Sequence, residues 1–401
     1  MTGASTILCR LHGADRPGIT AGLMSVLAES GAELYDVEQM VVRGRLSLDV
    51  LFAVPEGRST VKDILYYGWE AEMQVDFEVV DSPPSPPRQT AAITLVSSRI
   101  GPETFAAAAH AIAEAGANID RIVRLSRYPV VSYELVASGG DQLAMQRNLG
   151  VAGADHGFDV AVQEERLARR LKRMVVLDVD STLIVGEVID MLAAEAGNED
   201  PVSLITREAM DGKVDFETSL RERVALLAGL PLEAVESVVE RIELTPGART
   251  FVRTLKRLGM RVAIISGGFS VITDRLAAGL EVDHSVANTL EAVDGRLTGR
   301  VIDPIIDRAG KAEIMRTLAA EQHIPLDQVV AVGDGSNDLD MLAAAGLGIA
   351  FNARRTVREA ADASLNVPYL DAVLFMLGIR GDEVDVGSRS SLRPVAGLPP
   401  V

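Results

Sequence analysis

The stretch Met174-Val-Val-Leu-Asp-Val-Asp-Ser-Thr-Leu183 decides the fold of this chain. Apolar residues run without a break from Met174 to Leu177, and acidic residues follow at Asp178 and Asp180. Strands that are buried on both faces of a parallel sheet have such unbroken apolar runs. The stretch therefore predicts an inner parallel strand with two carboxylates at its carboxyl end, which is where open α/β sheets place their ligand sites.

Two further apolar runs end in the same way. Val262-Ala-Ile-Ile265 leads into Ser266-Gly-Gly268, and Val329-Val-Ala-Val332 leads into Gly333-Asp-Gly-Ser-Asn-Asp338. Because the carboxyl ends of parallel strands meet at one edge of a sheet, we expect the three polar segments to converge. The sequence thus predicts an α/β domain with a parallel sheet and one composite site.

The first pair of acids can divide chemical labour. Asp178 and Asp180 are two residues apart, so in an extended segment they face the same side. One can act as a nucleophile that also binds a metal, while the other transfers protons. A calcium loop counted from Asp178 would need Gly and Glu where the chain has Leu183 and Ile189, so it is excluded. A helix N-cap is an alternative for Asp180 or Ser181, and it leaves Asp178 unexplained.

The other segments offer groups for a metal and an anion. Asp334 and Asp338 supply hard oxygen ligands, which suit Mg²⁺. Ser266 and the backbone N–H groups after it form a natural anion cradle. Lys311 would lie in the first turn of a helix, where the dipole opposes a cation, so an anion should hold it there. Taken singly, these features are also compatible with a glycine-rich turn, a tight turn and a solvated lysine.

Taken in order, the four segments resemble the motifs of the haloacid dehalogenase superfamily. These are Asp178-Val-Asp-Ser-Thr, Ser266-Gly-Gly, Lys311 and Gly333-Asp-Gly-Ser-Asn-Asp338. More narrowly, the first motif with Glu187, and Ile264-Ile-Ser-Gly-Gly-Phe269, resemble the phosphoserine phosphatase family. The resemblance covers about residues 172–375. It implies a Rossmann-like core with a small helical cap at about residues 187–245.

The resemblance also implies a role for each matching residue. Asp178 is expected to attack phosphorus, giving an aspartyl-phosphate, and to bind Mg²⁺ together with the Asp180 carbonyl and Asp334. Asp180 is expected to protonate the leaving oxygen and later to deprotonate the hydrolytic water. Asp338 is expected to lie behind the metal ligands. The residues expected to hold the phosphoryl group are Ser266, Gly267, Lys311 and Asn337.

The helical insert is expected to recognise the rest of O-phospho-L-serine, which the resemblance implies as substrate. Glu187 and Arg223 match the family's positions for the amine and the carboxylate, and an arginine can hold a carboxylate through two hydrogen bonds. Met210 and Phe216 match apolar residues that exclude water from the phosphate. An ordinary surface ion pair for Arg223, and plain cap core for Met210 and Phe216, remain alternatives. The implied reaction is Mg²⁺-dependent hydrolysis to L-serine and phosphate, the last step of serine synthesis.

The first 165 residues contain an internal repeat with an offset of 85 residues. Leu27-Ala-Glu-Ser-Gly-Ala-Glu-Leu34 matches Ile112-Ala-Glu-Ala-Gly-Ala-Asn-Ile119. Each copy predicts strands and helices in the order β-α-β-β-α-β. The segment Asp15-Arg-Pro-Gly-Ile19 resembles the ACT domain, a small-molecule regulatory module. The resemblance implies two ferredoxin-like domains that form a homodimer, with an amino-acid effector such as L-serine at Asp15, Arg16, Pro17, Gly18 and Ile19. A purely structural dimerisation module is the alternative.

Composition narrows the possible partners and compartment. With 39 basic and 57 acidic residues the formal net charge is −18, which argues against nucleic-acid binding. Cys9 is a single thiol, so it forms no internal disulfide, and we expect a buried apolar filler. We expect no signal peptide, because residues 1–13 lack a basic segment followed by an apolar run, and no membrane span, because no apolar run reaches about 18 residues. These features favour the cytoplasm and no membrane partner.

Proline and charge patterns predict the domain boundaries. Four prolines within residues 83–87 predict a stiff linker at 83–90. We expect ACT domains at 1–82 and 91–165, a phosphatase domain at 172–380 and a disordered tail at 381–401. The charged stretch from Gln163 to Arg173 predicts a solvated helix. Two other functions stay open: a same-fold phosphatase or phosphotransferase for another small phosphoester, and a non-catalytic amino-acid sensor.

Overall fold

The computed structural model describes residues 6–54, 59–80, 89–166, 169, 171–210 and 214–384. The chain divides into two compact units, Met1–Arg88 and Gln89–Val401. Most of the predicted linker (residues 83–88) and of the predicted tail (residues 385–401) lies outside the described residues.

The first unit is an antiparallel sheet that packs against two helices. Its elements are β1 (Thr6–Ala14), α1 (Ile19–Ser30), β2 (Glu33–Val42), β3 (Arg45–Ala53), α2 (Thr60–Glu70) and β4 (Gln74–Val80). The strands lie in the order β2-β3-β1-β4. The core contains Leu11, Leu23, Phe52 and Ile64. Cys9 is fully buried in β1, and burial raises the pKa of its thiol to about 12, so the expected filler role is confirmed.

The second unit begins with the same order of elements. They are β5 (Thr90–Ser97), α3 (Pro102–Glu114), β6 (Ala117–Ser126), β7 (Val131–Gly139), α4 (Gln142–His156) and β8 (Asp159–Glu164). Alternate β5 side chains, Ile93 and Leu95 among them, pack with Ala108 and Ile112 of α3. The predicted β-α-β-β-α-β repeat is confirmed in both copies.

A mostly parallel sheet follows. Its strands are β9 (Met174–Leu177), β10 (Arg261–Phe269), β11 (His284–Val293), β12 (Arg296–Ile302), β13 (Val329–Gly333), β14 (Leu347–Phe351) and β15 (Ala363–Leu365). β9 lies between β10 and β13, parallel to both, and Leu177 is in register with Ile264 and Val332. All four β9 residues are buried, as the apolar run predicts. The three predicted strand ends therefore meet at one edge.

Helices connect these strands. Among the described residues, four of them follow β9 in the predicted cap region: α5 (Val188–Ala196), α6 (Glu199–Met210), α7 (Phe216–Ala225) and α8 (Leu232–Arg241). The others are α9 (Ala248–Arg257), α10 (Ser270–Leu280), α11 (Arg308–Glu321), α12 (Leu339–Ala344), α13 (Arg355–Ala360) and α14 (Val373–Met376). Cap residues such as Leu192, Leu220 and Val235 share one buried cluster with Leu177 of β9.

Within the described residues, β8 joins both parts of the second unit into one eleven-stranded sheet, because it lies beside β15. The predicted solvated helix from Gln163 to Arg173 is correct for the helical state of Arg169 and wrong for the solvation of Arg169 and Lys172, which are both buried. Gln163 lies in β8 rather than in a helix, and its side chain donates to the Met376 carbonyl at 2.9 Å. Arg169 is only 6% exposed and forms ion pairs with Glu134 and Glu165. The charge pattern could not reveal this burial, because Glu134 is distant in sequence.

Candidate active site

Asp178 immediately follows β9 and is 3% exposed. Its Oδ1 accepts a hydrogen bond of 2.6 Å from Lys311 Nζ. Its backbone N–H donates to the Val332 carbonyl at 2.9 Å, so the main chain holds the residue as well. One oxygen of a buried carboxylate is thus fixed at the carboxyl end of the sheet.

The chain turns sharply after this strand. Ser181 has a positive φ of 56°, and its N–H donates to the Gly186 carbonyl at 2.9 Å. The Ser181 hydroxyl donates to Glu187 Oε1 at 3.0 Å. The Thr182 hydroxyl donates to Asp334 Oδ1 at 3.2 Å. Neither hydroxyl was assigned a site role from the sequence, although both belong to the first motif.

Asp180 lies between this turn and the glycines near the carboxyl end of β10. Its Oδ1 accepts the Val188 N–H at the start of α5 at 2.7 Å, but the N-cap residue of that helix is Glu187 and not Asp180 or Ser181. A Cβ placed on Gly268 would come within 2.8 Å of Asp180 Oδ2. Burial, followed by the charge of Glu187, raises the pKa of Asp180 to about 7. A carboxyl group with such a pKa can give and take a proton near neutral pH.

Three carboxylates gather at the sheet edge. Asp178, Asp334 and Asp338 each offer an oxygen within 4.8 Å of the others. Both Asp338 oxygens are engaged, Oδ1 by Lys311 Nζ at 2.7 Å and Oδ2 by the Gly335 N–H at 3.0 Å. Asp178 and Asp334 each have one oxygen in a hydrogen bond, to Lys311 and Thr182. Their second oxygens remain for a cation, so this set fits Mg²⁺ with Asp338 behind the ligands.

The pKa shifts of these carboxylates are consistent with a Mg²⁺ site at this edge of the sheet. Burial, and then repulsion from Asp338, raises the pKa of Asp178 well above its usual range. The same two causes, in the same order, raise the pKa of Asp334 to about 7. A divalent cation would offset this repulsion between buried carboxylates.

Lys311 is fully buried between Asp178 and Asp338. Lys311 is the fourth residue of α11. The helix begins at Arg308, so it starts slightly earlier than the predicted first-turn position of Lys311 implies. Burial alone would lower the pKa of Lys311, but the charges of Asp178 and Asp338 outweigh this and raise it. The anions that hold the lysine in the structure are therefore two carboxylates.

Ser266, Gly267 and Gly268, near the carboxyl end of β10, form a small cradle. Ser266 is fully buried, and its Oγ accepts the Gly268 N–H at 2.8 Å. The hydroxyl proton of Ser266 is thus available to an anion. A Cβ on Gly267 would come within 3.0 Å of Phe216 Cζ and 3.8 Å of Asn337 Nδ2. Phe216 of the cap and Asn337 of the fourth motif therefore both lie beside Gly267.

Glu187 and Arg223 are half-buried at the inner side of the cap. Burial raises the pKa of Glu187, while the Ser181 hydrogen bond lowers it. Burial lowers the pKa of Arg223, opposed by the charges of Glu187 and Asp190. The Arg223 Nε donates to the Ser219 carbonyl at 3.2 Å. Met210 is the last residue of α6, and its side chain lies outside the described part of the structure.

The predicted effector loop lines a cavity of about 440 Å³ in the first unit. Asp15, Arg16, Pro17, Gly18 and Ile19 all contribute, together with Gln39 and Leu46. Gly18 has a φ of +96°, a value that favours glycine. The loop is anchored by the Asp15 N–H, which donates to the Gly44 carbonyl at 2.9 Å.

Comparisons with known proteins match all three segments of the chain. Residues 175–343 match the haloacid dehalogenase-like hydrolase family, and residues 5–78 and 89–163 match ACT domain families. A phosphoserine phosphatase of Streptomyces coelicolor is 49% identical over 389 residues, which cover 95% of this chain and 94% of that protein. A phosphoserine phosphatase of Mycobacterium tuberculosis is 47% identical over 398 residues, covering 96% of each chain.

Solved structures give the same fold. A haloacid dehalogenase family hydrolase of Salmonella enterica aligns with a TM-score of 0.64 and 30% identity, over 73% of this chain and 100% of its own. A probable phosphoserine phosphatase of Vibrio cholerae aligns with a TM-score of 0.57 and 31% identity, over 72% of this chain and 86% of its own. Among the residues that the structure describes, no helix is both long and apolar enough to cross a membrane.

Proposed function

The chain belongs to the phosphoserine phosphatase family of haloacid dehalogenase-like hydrolases, and we propose that it hydrolyses O-phospho-L-serine to L-serine and phosphate as the last step of serine biosynthesis. The observation that carries the proposal is the buried group of Asp178, Lys311 and Asp338 at the carboxyl end of the sheet. Such a group can hold a nucleophilic carboxylate in one orientation and neutralise a phosphoryl group.

In the first half-reaction Asp178 attacks phosphorus. The bond from phosphorus to the serine Oγ breaks, and Asp180 gives its proton to that oxygen. L-serine therefore leaves with a neutral hydroxyl group. The pKa of Asp180, about 7, supports its role as a proton donor near neutral pH. The product of this step is an aspartyl-phosphate on Asp178.

In the second half-reaction Asp180, now ionised, takes a proton from water. The water oxygen bonds to phosphorus, the bond from phosphorus to Asp178 breaks, and phosphate leaves. Throughout, Lys311, Ser266, Asn337 and the Gly267 N–H would hold the phosphoryl oxygens. Mg²⁺, held by Asp178, Asp334 and the Asp180 carbonyl, would supply the charge that neutralises the phosphoryl group.

The cap would select the amino acid. Arg223 would hold the substrate carboxylate and Glu187 its ammonium group, which the half-burial and opposite charges of these side chains support. Phe216 lies against Gly267 and would keep water from the phosphoryl group. Met210 is proposed for the same role.

The ACT domains would bind an amino acid such as L-serine at the Asp15–Ile19 cavity and regulate activity. We also propose that β2 pairs with β2 of a second copy to form a homodimer. β2 is an edge strand, and it exposes Leu34, Met40 and Val42, which are 49%, 62% and 54% exposed. Self-pairing about a two-fold axis would satisfy that edge. Sedimentation of a Met40→Lys, Val42→Lys double variant tests this, since a monomer is expected.

Phosphate release tests the activity directly. The purified full-length chain is given O-phospho-L-serine, O-phospho-L-threonine or an aryl phosphate, with Mg²⁺ or with excess EDTA. Metal-dependent release that is fastest with phosphoserine is expected, and Asp178→Asn should abolish it while leaving the fold intact. Equal rates on all three substrates would reject the substrate and favour a broad phosphatase. Release from none would favour a phosphotransferase or a sensor.

A further inference from the structure

Asn288 is a buried amide that the proposed mechanism does not use. It lies in β11, beside β10, and is 1% exposed. Its Nδ2 donates to the Gly267 carbonyl at 2.8 Å, and its Oδ1 accepts the Ile306 N–H at 2.7 Å. A carbonyl can only accept and a backbone N–H can only donate, so these partners fix the orientation of the amide.

The first bond holds the phosphoryl cradle. β10 pairs with β11 at Ile265 and again at Phe269, with a register shift between them, and its pairing with β9 ends at Ile264. Ser266, Gly267 and Gly268 thus have no partner in these ladders. Asn288 supplies a hydrogen bond that the ladder lacks there. The Gly267 carbonyl belongs to the same peptide group as the Gly268 N–H, which donates to Ser266 Oγ. Asn288 therefore holds this peptide group from its carbonyl side.

The second bond holds the entry to α11. Ile306 is 7% exposed and precedes Asp307, which caps this helix through the Gly310 N–H at 2.8 Å. Lys311 follows in the first turns of the same helix. Asn288 therefore connects the segment that carries Ser266 with the segment that carries Lys311.

We propose that Asn288 is a positioning residue for the phosphoryl group. It does not touch the substrate; it sets the peptide plane of the cradle and the place of Lys311 relative to it. This proposal rests on the proposed function, because it takes a phosphoryl group as the ligand that Ser266 and Lys311 share.

The test replaces the amide by an apolar side chain of similar size, Asn288→Leu, in the full-length enzyme. Inorganic phosphate binding is measured by titration calorimetry with Mg²⁺, L-serine binding is measured as competitive inhibition, and kcat is measured with O-phospho-L-serine. We expect phosphate affinity to fall about tenfold and kcat about 10- to 100-fold, with L-serine inhibition changed less than about twofold. A milder variant, Asn288→Thr, should show the same pattern at smaller amplitude if the leucine variant does not fold.

Gln163→Leu is the matched control. Gln163 is also a buried strand amide, 9% exposed, that donates to a backbone carbonyl, but of Met376. It should lose stability without changing phosphate affinity. Phosphate affinity that is unchanged in the Asn288 variants, or that falls equally with L-serine affinity, or that falls equally in the Gln163 variant, would overturn the proposal. A wild-type enzyme that binds phosphate but does not hydrolyse phosphoserine would reject the proposed function alone.

Discussion

Lys311 Nζ lies 2.6 Å from Asp178 Oδ1, and both side chains are buried at the carboxyl end of the parallel sheet. The same ammonium group lies 2.7 Å from Asp338 Oδ1. One ammonium group thus bonds two of the three carboxylates that meet there, but its single positive charge can neutralise only one of them. The remaining negative charge, on Asp334 with its neighbours, is what a divalent cation would balance.

Replacing Lys311 by methionine should therefore reduce both rate and stability. The variant loses a phosphoryl contact and leaves buried carboxylates without a counter-charge, so kcat should fall by about 10²- to 10³-fold or more. Steady-state phosphate release and thermal unfolding check this. Lys172→Met is the control, because Lys172 is also buried, 7% exposed, but donates to the Asp327 carbonyl at 2.7 Å. It should lose stability and keep its kcat; a Lys311 variant that keeps its kcat would contradict the assignment.

Thr182 should matter for the metal more than for the chemical step. Its hydroxyl holds Asp334 at 3.2 Å, so Thr182→Val frees a proposed Mg²⁺ ligand without removing it. We expect the Mg²⁺ dissociation constant, measured by calorimetry, to rise about tenfold. At saturating Mg²⁺ the kcat should change little. Thr273→Val serves as the control, because the buried Thr273 hydroxyl accepts a hydrogen bond from the Ser285 hydroxyl. Equal metal affinities in both variants would contradict the proposed role of Thr182.

Arg223 should govern the choice of substrate. Arg223→Lys replaces a guanidinium group, which can form a bidentate hydrogen bond with a carboxylate, by an ammonium group, which acts as a point charge. The KM for O-phospho-L-serine should therefore rise about tenfold or more. The KM for an aryl phosphate, which has no carboxylate, should not change. Arg221→Lys on the same helix is the matched control, because Arg221 is exposed and pairs with Glu217 and Asp303. If the KM for O-phospho-L-serine rises equally in both variants, Arg223 is not the carboxylate-binding residue.

Asp159 should make stability depend on pH. Burial raises its pKa to about 6, partly offset by hydrogen bonds from Asn366. An unfolded aspartate titrates near pH 4, so the folded state binds more protons between these values. Its contribution to stability is full below about pH 4 and is lost as the pH rises through 6, by about 3 kcal/mol.

Asp159→Asn should remove that contribution. The free energy of unfolding, measured by denaturant titration from pH 4 to 7, should then decline less than in the wild-type chain. Asp371, whose pKa burial also raises to about 6, should leave a residual slope in the variant. Parallel curves for the variant and the wild-type chain would show that Asp159 titrates normally in the folded state.

Much of the architecture could be predicted because it rests on local patterns. Unbroken apolar runs mark β9, β10 and β13 wherever they lie in the chain, and the repeat at an offset of 85 residues predicts two copies of one fold. The strand-end rule then brings Asp178, Ser266 and Asp334 together without any knowledge of packing.

Partners that are distant in sequence could not be predicted in this way. The solvation expected for Arg169 is wrong, because the side chain is buried and its charge is paired with Glu134, 35 residues earlier. The hydroxyls of Ser181 and Thr182 look alike in the motif, yet one bonds Glu187 and the other Asp334. Only the turn at Ser181 separates their directions.

By itself, therefore, the sequence determined the fold class, the order of the elements and the residue types at the site, because periodicity and motif spacing are properties of the chain. The tertiary structure decided which groups hold one another. Lys311 meets Asp178, 133 residues away, and Asn288 joins Gly267 to Ile306. Such pairings depend on how strands and helices pack, because a buried polar group must find its partner in three dimensions.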